Sequence, residues 1–303
     1  MSHLIPVFLA PFLDRLLGEP AAFHPLVGFG SFANAIDTRF NQGTCLLLRG
    51  SAAWIILTLP PVLAIYYLDQ FIGGIWLSVF CGWLAMGWQS LRQHGQAVVQ
   101  ALQTRHLADA RKKTAYLVSR DTSALNPTEI RRATIESILE NGSDAIFAPL
   151  FWLLIAGAPG VVFYRLCNTL DAMWGYRTAR YEQFGKLAAR TDDLLNLVPA
   201  RLTALLYALN GHYQQAMQAW KTQGKRWYSP NAGVVMAAGA GALGLKLGGA
   251  ASYHGQRKQR PDLGHGNPPG PGDIQRALSL VDRSVYSLQV ITLMLAGGFW
   301  LAS

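Results

Sequence analysis

Two uncharged apolar runs, Ser51 to Leu68 and Phe71 to Leu91, are separated only by Asp69 and Gln70. Each comes close to the ~20 residues that a helix needs to cross the hydrocarbon core of a bilayer. Together they predict a helical hairpin that returns the chain to the side it left. That side then carries Arg92, Arg105, Arg111, Lys112, Lys113, Arg120, Arg131 and Arg132. An excess of Lys and Arg in short loops marks the cytoplasmic face.

Composition agrees with a membrane setting. Hydrophobic residues make up 51% of the 303 and charged residues 14%, with a mean hydropathy of +0.19. A soluble domain carries roughly 25% charge. The reading is an all-α, polytopic integral membrane protein, with 1–303 as one domain. Apolar membrane segments are expected at about 51–68, 71–91, 145–166, 232–250 and 285–302. Polar segments 92–144, 164–201 and 251–284 are expected as large amphipathic helical loops that form a cytoplasmic-side site.

Ala145 to Ala158 is apolar, and Pro159-Gly160 interrupts it before Val161 to Leu166. It either spans once or dips in and returns. The Arg-rich block that follows favours re-entry, with the backbone break shielded by protein. His3 to Leu13 is too short to span and reads as an interfacial or partly inserted helix. It shows no basic leader of a cleavable signal. Asp14, Arg15, Glu19 and His24 follow in a turn-rich stretch and either line a site or decorate a loop. Cys45, Cys81 and Cys167 form no CxxC pair, so neither a disulfide framework nor a zinc site is expected.

The formal net charge of +9 suits anionic lipid or phosphorylated substrates. Nucleic acid is not expected, because the basic residues form no stripe interleaved with aromatics.

Chemistry concentrates in two polar blocks. In Ser119 to Asp144, Asn126, Pro127 and Glu129 form a helix start with a capping box. The helix should run to about Asn141, where Gly142 weakens it. Glu129, Glu136, Glu140 and Asp144 fall on one face at ~100° per residue, with Ile135, Ile138 and Leu139 opposite. This is either a solvated acidic face or a site for a divalent ion. In Tyr164 to Arg201 the acids Asp171, Asp192 and Asp193 mix with Asn168, Arg165, Arg177, Arg180, Lys186 and Arg190. That mixture is either a salt-bridged interfacial surface or a site.

Ala232 to Gly249 is rich in small residues and contains GxGxxG at Gly239 to Gly244. No strand precedes it, so close helix packing in the bilayer is the better reading than a dinucleotide fingerprint. Lys246 either binds phosphate or snorkels at the helix end. Tyr253 to Gly272, with Arg257, Lys258 and Arg260, is a basic loop and candidate lid. Asp273 is expected to cap a helix from Ile274 to Arg283, ahead of a separate span from Val285.

The stretches SRDTSAL, IESILENGSDAIFAPLFW, YRLCNTLDAMWGYR, RYEQFGKLAARTDD, PARL and AGVVMAAGAGALGLKLGG occur in this order along the chain. With the early DRLLGEPAAFHPLVGFG and the late RPDLGHG, they resemble the cobalamin-biosynthesis CobD/CbiB family. The resemblance covers nearly the whole chain. It implies adenosylcobinamide-phosphate synthase, a multi-pass enzyme of the bacterial cytoplasmic (inner) membrane. Such an enzyme joins adenosylcobyric acid to aminopropanol phosphate in an ATP-driven amide ligation, with the corrinoid as substrate, and phosphoryl transfer from ATP calls for Mg²⁺. Membrane lipid and other cobalamin-assembly enzymes are its implied partners.

On that hypothesis Asp121, Glu136, Glu140 and Asp144 hold Mg²⁺. Arg120, Arg177, Arg180 and Lys246 neutralise phosphates, while Asn141 and Asn168 orient substrate. Asp192, Asp193 and Asp171 are the candidate catalytic carboxylates, Asp192 as acceptor of the amine proton. No Walker motif is present. The alternative is an AmpE-like membrane sensory or accessory protein without ligase activity.

Overall fold

The computed structural model describes residues 3–20, 24–253 and 256–302. Ala21 to Phe23 of the early resemblance stretch, and His254 and Gly255 of the basic loop, lie outside the described residues. The side chain of Arg257 does so as well. The chain is 75% helical. Its helices are α1 (Leu4–Leu17), α2 (Pro25–Phe40), α3 (Leu46–Ile72), α4 (Ile75–Ala85), α5 (Trp88–Gln103), α6 (Leu107–Ala115) and α7 (Pro127–Gly142). After a π-turn at Ser143–Phe147 come α8 (Ala148–Trp174), α9 (Lys186–Leu195), α10 (Leu197–Leu209), α11 (Tyr213–Gln223), α12 (Ala232–Leu243) and α13 (Asp273–Ala302). Short strands β1 (Leu247–Gly248) and β4 (Asp262–Leu263) pair antiparallel, as do β2 (Ala251–Tyr253) and β3 (Gln256–Lys258).

The chain forms two compact units, each built from separate segments. The first contains 1–87, 148–196 and 292–303; the second contains 88–147 and 197–291. Among the described residues three helical stretches are long and apolar enough to cross a membrane: Leu46–Ile72, Pro127–Trp174 and Asp273–Gly298.

In the first unit, α3 buries only Gly50, Ala53, Trp54, Leu57 and Thr58. It exposes Ile55, Ile56, Leu59, Leu63, Tyr66 and Tyr67. An apolar face this extensive, on a helix of membrane-crossing length, suits contact with lipid. The expected hairpin arm at 71–91 is corrected. The chain breaks at Gly73-Gly74 and again after Ala85, so α4 has 11 residues. At 1.5 Å per residue it extends only about 16 Å, too short to cross. It packs instead on α1 and α8, where a Cβ on Gly82 would meet Ala10 and Leu153.

α8 folds back on itself. Ala156 and Gly157 leave helical geometry, Gly157 with φ +58°. The carbonyl of Trp152 lies 2.7 Å from where a Cβ on Gly160 would sit. In a straight helix those residues would stand about 12 Å apart along the axis. The stretch is therefore a helical hairpin with its tip at Gly157, so the chain reverses direction within 145–166. Pro159 sits in the first turn of the return arm, where its missing N–H costs nothing. The buried N–H of Ala158, left without a helical acceptor by the break, donates to Ser78 Oγ at 3.0 Å.

In the second unit, α7 is central. Its capping box forms as the sequence predicts. Asn126 Oδ1 accepts from Glu129 N at 3.0 Å, and Glu129 Oε2 from Asn126 N at 2.9 Å. Gly142 does not end the helix; the backbone widens into the π-turn. Ser143 N donates to the Glu140 carbonyl, and the Leu139 carbonyl accepts the Tyr207 hydroxyl at 3.0 Å. Tyr207 thus satisfies the carbonyl that a wider turn would leave without a partner.

The span expected at 232–250 is also corrected. α12 has 12 residues, ends at Gly244 (φ +67°), and is buried from Gly233 to Leu243. It is a core helix. Its glycines do serve close packing: a Cβ on Gly241 would run into the α11 backbone at Gln215, and one on Gly239 into Leu139. The two-helix reading of 274–302 is replaced by one continuous α13.

Candidate functional site

Two polar centres emerge, one in each unit. In the first unit, the end of α8, the arch 175–185 and the start of α9 enclose a cleft of ≈ 310 Å³. Arg177, Lys186 and Arg190 line it, with Glu182, Asp193, Trp174, Tyr176 and Tyr181. Three cations against two acids, with aromatic walls, suit a phosphorylated ligand.

The cleft exists because backbone approaches backbone beneath it. Phe184 is buried and packs edge-on against Trp174 with centroids 5.0 Å apart. A Cβ on Gly50 would collide with the carbonyl of Phe184, and one on Gly185 with the carbonyl of Trp174. Neither backbone can yield as a flexible side chain would. Gly185→Ala is expected to lower stability by at least about 1–3 kcal/mol, the usual cost of overpacking. Chemical unfolding in detergent reads it; an unchanged midpoint would refute the close approach.

Each expected site residue of this unit has a defined place. Arg177 and Asp193 line the cleft. The carboxylate of Asp171 occupies the space a side chain on Gly175 would need, beside the cleft wall. Arg180 is committed elsewhere. Its Nη2 donates to buried Asp37 Oδ2 at 2.7 Å, which also accepts the Tyr181 hydroxyl at 3.1 Å. Asp37 had no distinguishing sequence signal; only the fold brings α2 to the arch.

Asn168 and Asp192 lie in the interior. Asp192 Oδ1 accepts from Asn168 Nδ2 at 3.1 Å and its Oδ2 from Asn196 Nδ2 at 3.0 Å. Asn196 Oδ1 accepts the Tyr164 hydroxyl, and Asn168 Oδ1 accepts Arg165 Nη1. Burial pushes the Asp192 carboxyl up to about 6, against the amide hydrogen bonds that favour its charged form. The roles of cleft carboxylate and interior carboxylate therefore fall to Asp193 and Asp192 respectively.

The sign of the pH dependence follows. A carboxyl whose folded pKa exceeds its unfolded value binds more protons folded than unfolded between the two. This group's contribution to stability is full below about 4 and is lost as pH rises through about 6. Asp192→Asn should flatten that segment of the stability–pH curve; a slope identical to wild type would sink the assignment.

In the second unit Glu136 is buried, 2% exposed. Its carboxylate accepts from Arg120 Nη2, from Arg260 Nη1 at 2.9 Å and Nη2 at 3.1 Å, and from Gly248 N at 2.8 Å. Arg260 also donates to the carbonyls of Gly249 and Gly248 and lies 5.1 Å from the centroid of the Trp227 ring. The expected metal role of Glu136 is corrected: both its oxygens serve two guanidiniums. Arg120 is likewise taken from the phosphate set. The acidic face is closed off at Glu136, while Glu129, Glu140 and Asp144 on the same face are only half-buried.

Asp121 is exposed and accepts Ser123 N at 2.9 Å and Oγ at 2.7 Å, an Asx-turn that lowers its pKa. Lys246 pairs with Asp262 at 2.9 Å beyond the end of α12. Asn141 donates back to Ser137 O and Oγ. Glu140 and Asp144 are half-buried, and each already has an interaction partner.

Among the described residues no three His, Cys, Asp or Glu side chains converge as metal ligands. Mg²⁺ is commonly held by one or two carboxylates completed by substrate phosphates and water, so Glu140 and Asp144 suffice by donor type. The RPDLGHG signal explains itself structurally. Arg260 clamps Glu136, Asp262 pairs with Lys246, Leu263 is in the core, and Gly264 N donates to Gln223 Oε1 at 2.6 Å.

A helical membrane protein with a basic, aromatic-walled cleft is the class that fold and site define. The family model described as CobD/Cbib protein matches residues 7–281, and the chain belongs to this family. It is 52% identical over 304 residues to "Cobalamin biosynthesis protein CobD" of Stutzerimonas stutzeri (strain A1501), covering 99% of each chain. A protein of the same description from Chromobacterium violaceum is 51% identical, with 98% and 97% covered. One from Halalkalibacterium halodurans is 35% identical, with 98% and 97% covered. No solved structure matches.

Proposed function

We propose that this protein acts in cobalamin biosynthesis as an ATP-dependent amide ligase of the inner membrane. It would condense a side-chain carboxylate of adenosylcobyric acid with aminopropanol phosphate to give adenosylcobinamide phosphate. Family membership supports the pathway. The observation that carries the reaction class is the cleft with Arg177, Lys186 and Arg190 on aromatic walls.

A carboxylate is a poor acyl donor. In the proposed sequence its oxygen attacks the γ-phosphorus of ATP, and the bond to the bridging oxygen breaks to release ADP. Arg177, Lys186 and Arg190 offset the charge on the transferring phosphoryl group. The amine of aminopropanol phosphate then attacks the acyl carbon, and inorganic phosphate leaves. The attacking nitrogen loses a proton, which Asp193 on the cleft wall accepts. Glu140 and Asp144 of the second unit are of the donor type that would hold Mg²⁺, which would supply charge neutralisation to a phosphate bound there.

Purified protein in liposomes, given the three substrates, is expected to form adenosylcobinamide phosphate, ADP and phosphate in equal amounts. Absence of product at saturating substrates, with the protein folded, would favour a membrane accessory role instead.

A further inference from the structure

A second cavity in the first unit, ≈ 490 Å³, is walled by apolar side chains, among them Leu26, Pro61, Ile65, Phe80, Leu84 and Leu166. That volume falls within the ~300–1,000 Å³ range of ligand sites. Two polar side chains also line it: Arg165 and His24. Arg165 Nη1 is held by Asn168 Oδ1 at 3.2 Å, but its buried Nε has no hydrogen-bond partner among the described residues. A buried donor left unmade is costly, and more so on a charged group. His24 Nδ1 accepts from Leu26 N at 3.2 Å, which leaves Nε2–H as a donor with no hydrogen-bond partner among the described residues. Among the described residues no carboxylate lines the cavity.

The walls say where the occupant comes from. Pro61, Ala64 and Ile65 belong to α3, the helix of membrane-crossing length whose Ile56, Leu59 and Leu63 are exposed. Phe80, on the facing α4, is exposed as well. We propose that this cavity binds one acyl chain of an anionic phospholipid, with the headgroup phosphate on the Arg165 guanidinium and His24 Nε2. An apolar enclosure with donors and no acid selects an anionic head on an apolar tail. Through Asn168, Arg165 is linked to the interior carboxylate Asp192. Lipid occupancy would thus brace α9, which forms one wall of the polar cleft.

The full-length protein in uncharged detergent tests this with phosphatidylglycerol, phosphatidylcholine of the same chains, or inorganic phosphate. Native mass spectrometry and the thermal midpoint are the readouts. Phosphatidylglycerol is expected to bind about tenfold tighter than phosphatidylcholine and raise the midpoint, as a charge-assisted contact would. Inorganic phosphate should do neither. Arg165→Gln should erase the preference between lipids, and Ala64→Trp should weaken both by filling the cavity. Equal binding of the two lipids overturns the proposal. So does a preference that survives Arg165→Gln in protein of wild-type circular dichroism, or displacement of the lipid by the corrinoid. Should Arg165→Gln fail to fold, Ala64→Trp and His24→Ala decide: retention of tight, selective binding in both refutes the site.

Discussion

Glu136→Gln protein is expected to lose about 3–5 kcal/mol of stability, the cost of stripping one partner from a buried ion pair. The amide keeps the shape and one acceptor oxygen, but its NH₂ faces guanidinium donors. Arg120 and Arg260, both nearly inaccessible, would then lose the carboxylate that offsets their charges. The cost arises from desolvated cations and not from lost packing, so a control separates the two. Replacing Arg120, Glu136 and Arg260 together with apolar residues of similar volume should restore most of the loss. Denaturant unfolding of the second unit's tryptophans in detergent is the measurement. A Glu136→Gln midpoint equal to wild type would show that the triad is not the electrostatic keystone its geometry describes.

The second large effect is on catalysis. Lys186→Ala and Arg190→Ala are each expected to lower kcat/KM by about 10²–10³, the range seen when a preorganised donor to developing charge is removed. Both side chains stand on the first two turns of α9 and line the cleft. A fall in kcat places the lost contact in the phosphoryl-transfer step. A rise in KM alone places it on a phosphate that is bound equally before and during reaction. Arg180→Ala is the contrast: its guanidinium is held by Asp37, so its loss should act through the arch and cost less activity. Steady-state ligation with each substrate varied in turn measures all three. Wild-type kcat/KM in both Lys186→Ala and Arg190→Ala would remove the cleft from the proposed reaction.

Much of the candidate site was readable as residue types. Arg177, Lys186, Arg190 and Asp193 were all in the one polar block that mixes acids with bases, and that block builds the cleft. Their partners were not readable. Nothing in the sequence pairs Asp37 with Arg180 across 143 positions, or Glu136 with Arg260 across 124. The acidic face of α7 shows why. Spacing correctly puts Glu136 and Glu140 on one side, but spacing carries no information on what packs there. The chain covered Glu136 with two arginines and a glycine N–H.

By itself, the sequence determined the properties that depend on neighbours along the chain. The capping box at Asn126, the lipid-facing α3 and the helical class follow from local hydrogen bonding and from apolar runs that water cannot solvate. Tertiary structure alone decided which apolar segments are core and which face lipid. Leu46–Ile72 and Ala232–Leu243 are both apolar, yet one exposes its side chains and the other buries nearly all of them. Hydropathy records only that a segment avoids water; whether lipid or protein replaces that water depends on which surfaces meet it in space.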